Sequence, residues 1–332
     1  MKKLYFASLL LLTALNMVAQ DQQFTQFYAL PTGINPAFAG ASVQSRLGMQ
    51  YRKQWAAIPG AFSAANLSYD QFFPLIKSGF GALINHEDAG SGSLRSTSIH
   101  VQYAYEARIQ RNWFFRPAFQ FGYVTRSIDF DKLIFYDQMI REGDVPSFET
   151  PVNIPVNYFD FGGGVLTYTP KFWLGVSAYH VNRPNESLYI DNQTPKQYRG
   201  SVHGGMRVRL KGNSISRLDH HMVFAAHYQT QTEFDHLDFG WYYEFSPVVL
   251  GVWYRGLPVK SNGYGRPNHD AISVLVGAQA ARYKIGYSYD ITISSLGISS
   301  SAGSHEISIV YSWSNKHNER SKKIRIMPCV EF

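Results

Sequence analysis

The sequence is short of several things, and each shortage removes a class of protein. It has a single cysteine, Cys329, so no intramolecular disulfide can staple the fold. Charged residues make up only 17% of the chain, below the roughly 25% of an ordinary soluble domain. Beyond the N-terminus no apolar run approaches the ~18 residues that a membrane-crossing helix needs, and mean hydropathy is only −0.21. There is neither a G-x-S-x-G elbow nor a glycine-rich phosphate loop of the P-loop kind. The formal net charge of +7 falls to 7 − 2 = +5 without Lys2 and Lys3, too little and too scattered for nucleic acid.

Aromatic side chains are abundant instead. They are 15% of residues, with 22 Tyr and 23 Phe. Many aromatics, few charges and no long apolar run suit a sheet that shows alternate residues to lipid and to a polar interior. The first nineteen residues read as a secretory signal. Lys2 and Lys3 precede an apolar stretch from Leu4 to Leu15, and cleavage is expected between Ala19 and Gln20, with Met17 larger than usual at the third position before the cut. No cysteine lies near that cut, which argues against a lipoprotein.

From Ser45 onward, segments of about ten residues alternate with period two between turn residues. In one of them Tyr283, Ile285, Tyr287, Tyr289 and Ile291 interleave with Lys284, Gly286, Ser288 and Asp290; in another Ile307, Ile309, Tyr311 and Trp313 interleave with Glu306, Ser308 and Ser312. Each such strand has one oily and one polar face. About fourteen strands are expected, over 46–55, 61–71, 78–86, 97–107, 113–126, 157–168, 172–181, 199–210, 220–229, 235–245, 248–257, 270–280, 283–292 and 304–314.

A soluble β-sandwich also alternates, but three details favour a transmembrane antiparallel β-barrel. The strands match a tilted bilayer crossing in length. Their polar faces carry Arg52, Asp70, Glu106, Arg207, Arg209, Arg255, Asp290 and Glu306, which would pair across a lumen. Aromatics gather near strand ends, at Trp55, Phe72, Phe73, Trp113, Trp173, Trp241, Trp253 and Trp313, as interfacial girdles do. The connections also sort by length. Thr169–Lys171, Ser246–Pro247 and Ala281–Arg282 are tight, whereas 127–156, 182–198, 258–269 and 293–303 are long. Short turns on one side, long loops on the other and an even strand count are the outer-membrane pattern, with both termini in the periplasm. The expected organisation is therefore a signal at 1–19, a periplasmic or lumenal segment at 20–44, a barrel at 45–314 and a basic tail at 315–332.

Residues with chemical potential do not assemble into a site. His220 and His221 are adjacent, so on a strand they face opposite ways and cannot share an ion. His86, Glu87 and Asp88 match no defined metal spacing. Ser304, His305 and Glu306 have the residue types of a triad, but consecutive strand residues diverge. No catalytic residue, metal or cofactor is expected. The tail carries Lys316, Arg320, Lys322, Lys323 and Arg325, either as a solvated basic segment or as a periplasmic contact.

The run from Gln20 to Tyr28 (QDQQFTQFY) and the following Asn35-Pro36-Ala37-Phe38-Ala39-Gly40 resemble the opening of the PorP/SprF family of type IX secretion membrane proteins. The likeness continues in Tyr51-Arg52-Lys53-Gln54-Trp55, Leu67-Ser68-Tyr69-Asp70, Asp137-Gln138, His180 with Arg183-Pro184, and Trp253-Tyr254-Arg255-Gly256. It is most specific in Gly286-Tyr287-Ser288-Tyr289-Asp290-Ile291 with Ser294-Ser295-Leu296, then Gly303-Ser304-His305-Glu306-Ile307, and it extends to Arg325–Phe332. Ala56-Ala57-Ile58-Pro59 departs from the family, which places proline sooner. The resemblance implies an integral outer-membrane barrel of Bacteroidetes without catalytic residues. Some members are core components that contact periplasmic subunits. Others partner a secreted adhesin through its C-terminal domain, and in some bacteria this serves gliding motility.

Under that reading, protein recognition would use aromatic and arginine anchors. The candidates are Tyr51, Arg52, Trp55, Phe135, Tyr136, Asp137, Gln138, His180, Arg183 and, in the tail, Arg325. Each of them is equally suited to girdle or loop packing. Phe24 to Gly40 would lie inside the barrel or along its periplasmic mouth. The competing functions are a porin-like or fatty-acid-type small-molecule channel and a soluble adhesin.

Overall fold

The computed structural model describes residues 21–42, 44–141, 147–148, 154–188, 193–210, 220–232, 234–261, 267–280, 282–294 and 296–314. The expected signal at 1–19 and the tail at 315–332, with Arg325 and Cys329, lie outside them.

Antiparallel pairing runs in sequence order through β1 (Ser45–Gln54), β2 (Ser63–Phe73), β3 (Ser78–Ala89) and β4 (Leu94–Tyr105), then β6 (Trp113–Ser127), β7 (Val156–Tyr168), β8 (Phe172–Tyr179) and β9 (Arg199–Leu210). It continues through β10 (His220–Gln231), β11 (Phe234–Phe245), β12 (Val248–Ser261), β13 (Pro267–Ala280), β14 (Tyr283–Thr292) and β15 (Ser304–Trp313). The last strand returns to the first, with Ser45 opposite Trp313 and Gln54 opposite Ser304. The ladder thus closes on itself as a barrel of fourteen strands. One short extra strand, β5 (Ala107–Gln110), stands outside the ring and continues β4 beyond Glu106. The break has a local cause. The Glu106 side chain turns inward to Arg116 at 2.7 Å, and its N–H bonds the Lys77 carbonyl.

Alternation sets which way each side chain points, and it is inside-out relative to a soluble protein. On β15 the inward residues are Ser304, Glu306, Ser308 and Val310, while Ile307 and Ile309 lie exposed. On β8 Phe172, Leu174 and Val176 face out and Trp173, Ser177 and Tyr179 face in. Showing this much aliphatic surface while enclosing ionised groups is stable only with hydrocarbon outside. The expected lumenal residues Arg52, Asp70, Glu106, Arg255, Asp290 and Glu306 are all buried; Arg207 is half-buried on Glu244 at 2.9 Å, and Arg209 is exposed.

Two expectations need correction. Phe72, Trp173 and Trp253 are not girdle residues; strand parity turns them inward, where all are buried. The stretch 258–269 is not one long loop, because β12 runs on to Ser261 and β13 begins at Pro267. A bulge at Gly256, whose φ is 140°, lets that hairpin bend and extend.

The β1 start and β15 end share the end of the tight turns. Residues 21–42 do not stay there. They run through the lumen, so that Asp21 lies at the opposite, loop-rich end, beside the last residues of β8 and β10.

Candidate functional site

The lumen is a site because it is filled. Thr25 to Leu30 and Asn35 to Ala41 are buried with few interruptions. A short 3-10 turn starts at each of Pro31 and Pro36, where the fixed proline φ suits the first helical position. The turns coil the segment compactly enough to fill the bore.

At its upper part Thr25 sits in a charged cage. Its hydroxyl accepts hydrogen bonds from Arg52 Nη1 at 2.6 Å and Arg255 Nη2 at 2.8 Å and donates to the Asp290 carboxylate at 2.8 Å. A hydroxyl has one proton and two lone pairs, so all of its bonding capacity is used. Glu306 accepts the backbone N–H groups of Thr25 and Gln26, both at 2.8 Å. Arg52 also pairs with Asp290 at 2.7 Å and Glu306 at 3.0 Å, and Arg255 with Asp238 at 2.9 Å. Burying these charges is tolerable because each is paired and hydrogen-bonded.

Below the cage the contacts are apolar. Phe27 meets Trp253 edge-on at 5.0 Å, and Tyr28 stacks on Trp253 at 5.9 Å. The inward-turned Trp253 is therefore a wall residue for the plug. Further down, the Asn35 amide lies 3.0 Å from His203 Nε2 and donates to the carbonyls of Val165 and Val176. Arg116 bonds the carbonyls of Ala37 and Ala39, and the Gly40 N–H donates to Asp70 at 3.1 Å. Gly79 allows this approach: a Cβ there would fall 1.9 Å from the Ala39 carbonyl oxygen.

At the loop-rich mouth Asp21 is gripped by His180 Nε2 at 2.6 Å, Lys196 at 2.9 Å and Arg199 at 3.0 Å. His180 Nδ1 meets Asp160 at 2.8 Å. With a carboxylate on each nitrogen, His180 donates from both and is the imidazolium. Burial works against that charge, but the Asp21 carboxylate and the hydrogen bonds to Asp160 and Asp21 outweigh it, so the imidazole holds its proton above the ordinary histidine range. Burial would likewise raise the Asp21 carboxyl, yet Lys196, His180 and Arg199 hold it well below the usual range. Beside the plug a cavity of about 120 Å³ opens toward this mouth, lined by Asn66, Asn85, Glu87, Ser98, His100 and Gln120 among others.

The sequence candidates divide into three groups. Arg52 and His180 point inward and bind the plug. Tyr51 faces outward on the wall, and Trp55 packs edge-on against Phe62 in the β1–β2 connection. Phe135 to Gln138 form a rim structure: Tyr136–Ile140 is a short helix, α1, and Gln138 accepts the Phe135 N–H. Asp137 accepts Arg141 Nη2 at 2.5 Å, Ser147 Oγ at 2.8 Å and the Phe148 N–H at 2.7 Å. The Phe148 bond above all holds its carboxyl below the ordinary range. The guanidinium of Arg141 lies 3.8 Å from the Phe148 ring centroid, and Arg183 stacks on Tyr198 at 5.3 Å. Sequence reading missed Asp21, Asp160, Lys196 and Arg199. Asp160 and Arg199 carried a signal, as inward-parity charges on β7 and β9.

Among the described residues no group of His, Cys, Asp and Glu side chains is arranged to hold a metal ion. The Ser304, Glu306 and His305 side chains diverge as consecutive strand residues must: the first two are buried and His305 lies outside against Tyr287.

Solved structures similar to this chain include Omp33 of Acinetobacter baumannii, 8% identical, covering 82% of this chain and 100% of that one at a TM-score of 0.45. The CymD monoaromatic hydrocarbon channel is 14% identical, with 87% and 94% covered at 0.45. A mutant of Rh. blastica porin is 9% identical, with 81% and 99% covered at 0.34. At such values they carry no argument about substrate. No curated protein shows significant sequence similarity to the chain. The family model described as type IX secretion system membrane protein PorP/SprF matches residues 16–311. An inside-out barrel and a family match over nearly its whole length lead to one statement: this chain is an integral outer-membrane protein and belongs to the PorP/SprF family of type IX secretion system membrane proteins.

Proposed function

We propose that this barrel is a non-enzymatic partner for one secreted adhesin, taking the adhesin's C-terminal domain at its loop-rich face for export and surface anchoring, with gliding motility as the cellular use. The loop-rich end faces outward and the tight turns face the periplasm, in keeping with how outer-membrane barrels sort their connections.

The observation that carries this reading is the contrast between lumen and rim. The bore is occupied by the chain's own residues, which disfavours a small-molecule channel. The rim around α1 shows solvent a cluster of large apolar side chains, Ile134, Tyr136, Met139, Ile140 and Phe148, on a frame braced by Asp137 and Arg141. An apolar surface held in place, with aromatic and arginine neighbours, suits protein recognition.

Deleting the gene tests this. The expected result is loss of one adhesin from the cell surface while other type IX cargo still appears. Retention of all type IX cargo inside the cell would replace this reading with a core-machinery role, in which the barrel contacts periplasmic subunits.

A further inference from the structure

The barrel must join its first strand to its last, and the Thr25 cage lies across that join. Arg52 on β1 is directly opposite Glu306 on β15. The Glu306 carboxylate receives four donors. Its Oε2 takes the Thr25 N–H and Arg52 Nη1, and its Oε1 takes the Gln26 N–H and Gln50 Nε2 at 2.6 Å. Two of the four come from the lumenal segment. The Gln26 side chain adds bonds to both neighbouring strands: it donates to Ser288 Oγ on β14 at 3.0 Å and to the Glu306 carbonyl on β15 at 3.1 Å, and accepts from Ser308 at 2.6 Å. Gln50 on β1 in turn donates to the Gln26 carbonyl at 3.1 Å.

We infer that the lumen wall at this join is a binding site for a Thr-Gln dipeptide, filled in cis by Thr25 and Gln26, and that filling it completes closure of the barrel. An empty site leaves Glu306 without two N–H donors, and Asp290, Arg52 and Arg255 without the one hydroxyl that serves all three. Groups buried to this degree are costly when unpaired. Thr25 and Gln26 therefore stabilise the β1–β15 pairing beyond what its ladder hydrogen bonds supply. No other strand pair has both partners bonded to Thr25 or Gln26 in this way except β14–β15 beside it, among the described residues.

The test uses paired cysteines in a Cys329→Ser background, which removes the only native thiol. Met49→Cys with Ile309→Cys reports the join, since these outward residues are register partners. Ile84→Cys with Ile99→Cys, outward register partners, reports the β3–β4 pair as a control. During refolding into detergent micelles, Thr25→Val is expected to lower the crosslinking rate at the join about tenfold, the scale of one lost charge-assisted bond, and to leave the control unchanged. Thr25→Ser, which keeps the hydroxyl, restores it. An unchanged join, an equal loss at both pairs, or failure of Thr25→Ser to restore the rate overturns the inference.

Discussion

His180 Nε2 and the Asp21 carboxylate stand 2.6 Å apart although 159 residues separate them in the chain. The bond ties the start of the lumenal segment to the rim of β8, at the end of the barrel opposite to the one where β1 begins.

Protonation should govern that tie. His180 is raised above its ordinary 6.5, so its contribution is complete below pH 6.5 and is lost as pH rises through the folded-state value. Asp21 is depressed below its ordinary 3.8, so its contribution is present above pH 3.8 and is lost as pH falls through its folded-state value. Protection of the amides at 21–24, taken as their exchange relative to the intrinsic rate at each pH, should be greatest between those limits and fall toward alkaline pH. His180→Gln should abolish the alkaline limb and speed exchange by about tenfold, the effect of a lost charge-assisted bond. A flat profile in the unaltered protein contradicts the pairing.

The threading direction predicts a shared side. An epitope inserted directly before Asp21 and another inserted beside Phe148 should both be reached by antibody added to intact cells. One inserted in the β2–β3 turn, at Leu75, should be reached only after the outer membrane is opened. Protection of the first together with the third would reverse the direction of the segment.

Close packing beneath the plug makes Gly79 intolerant. Gly79→Val should destabilise the barrel by about 1–3 kcal/mol through overpacking against Ala39, read as a lower temperature of the heat-modifiable gel shift. Gly33→Ala meets nothing within 4 Å and should leave that temperature unchanged.

At the rim, replacing Tyr136 and Met139 together by serine removes exposed apolar surface without touching the Asp137 frame. Surface display of the partner adhesin should fall about tenfold or more, the scale of a binding hot spot, with the gel shift unaltered. Normal display would relocate the recognition surface.

Strand parity was readable because it is local. The alternation of Tyr287 and Tyr289 with Ser288 and Asp290 assigns faces with no knowledge of the partner strand, and it led to the right lumenal acids. Trp253 shows the limit of that reading. Its parity matched Arg255, but an indole among polar lumen residues makes sense only once Phe27 and Tyr28 are known to lie against it. The grip on Asp21 was less legible still. Lys196 and Arg199 belong to a loop and the strand after it, and nothing in their spacing marks a partner about 175 residues earlier; only the route of the segment through the bore brings them together.

The claim on which the rest depends is that the chain's own residues close the bore. Purified protein inserted into a planar lipid bilayer measures this directly. A plugged barrel predicts no steady conductance at moderate voltage in the unaltered protein. A stable ohmic pore, present as soon as the protein inserts, would contradict it.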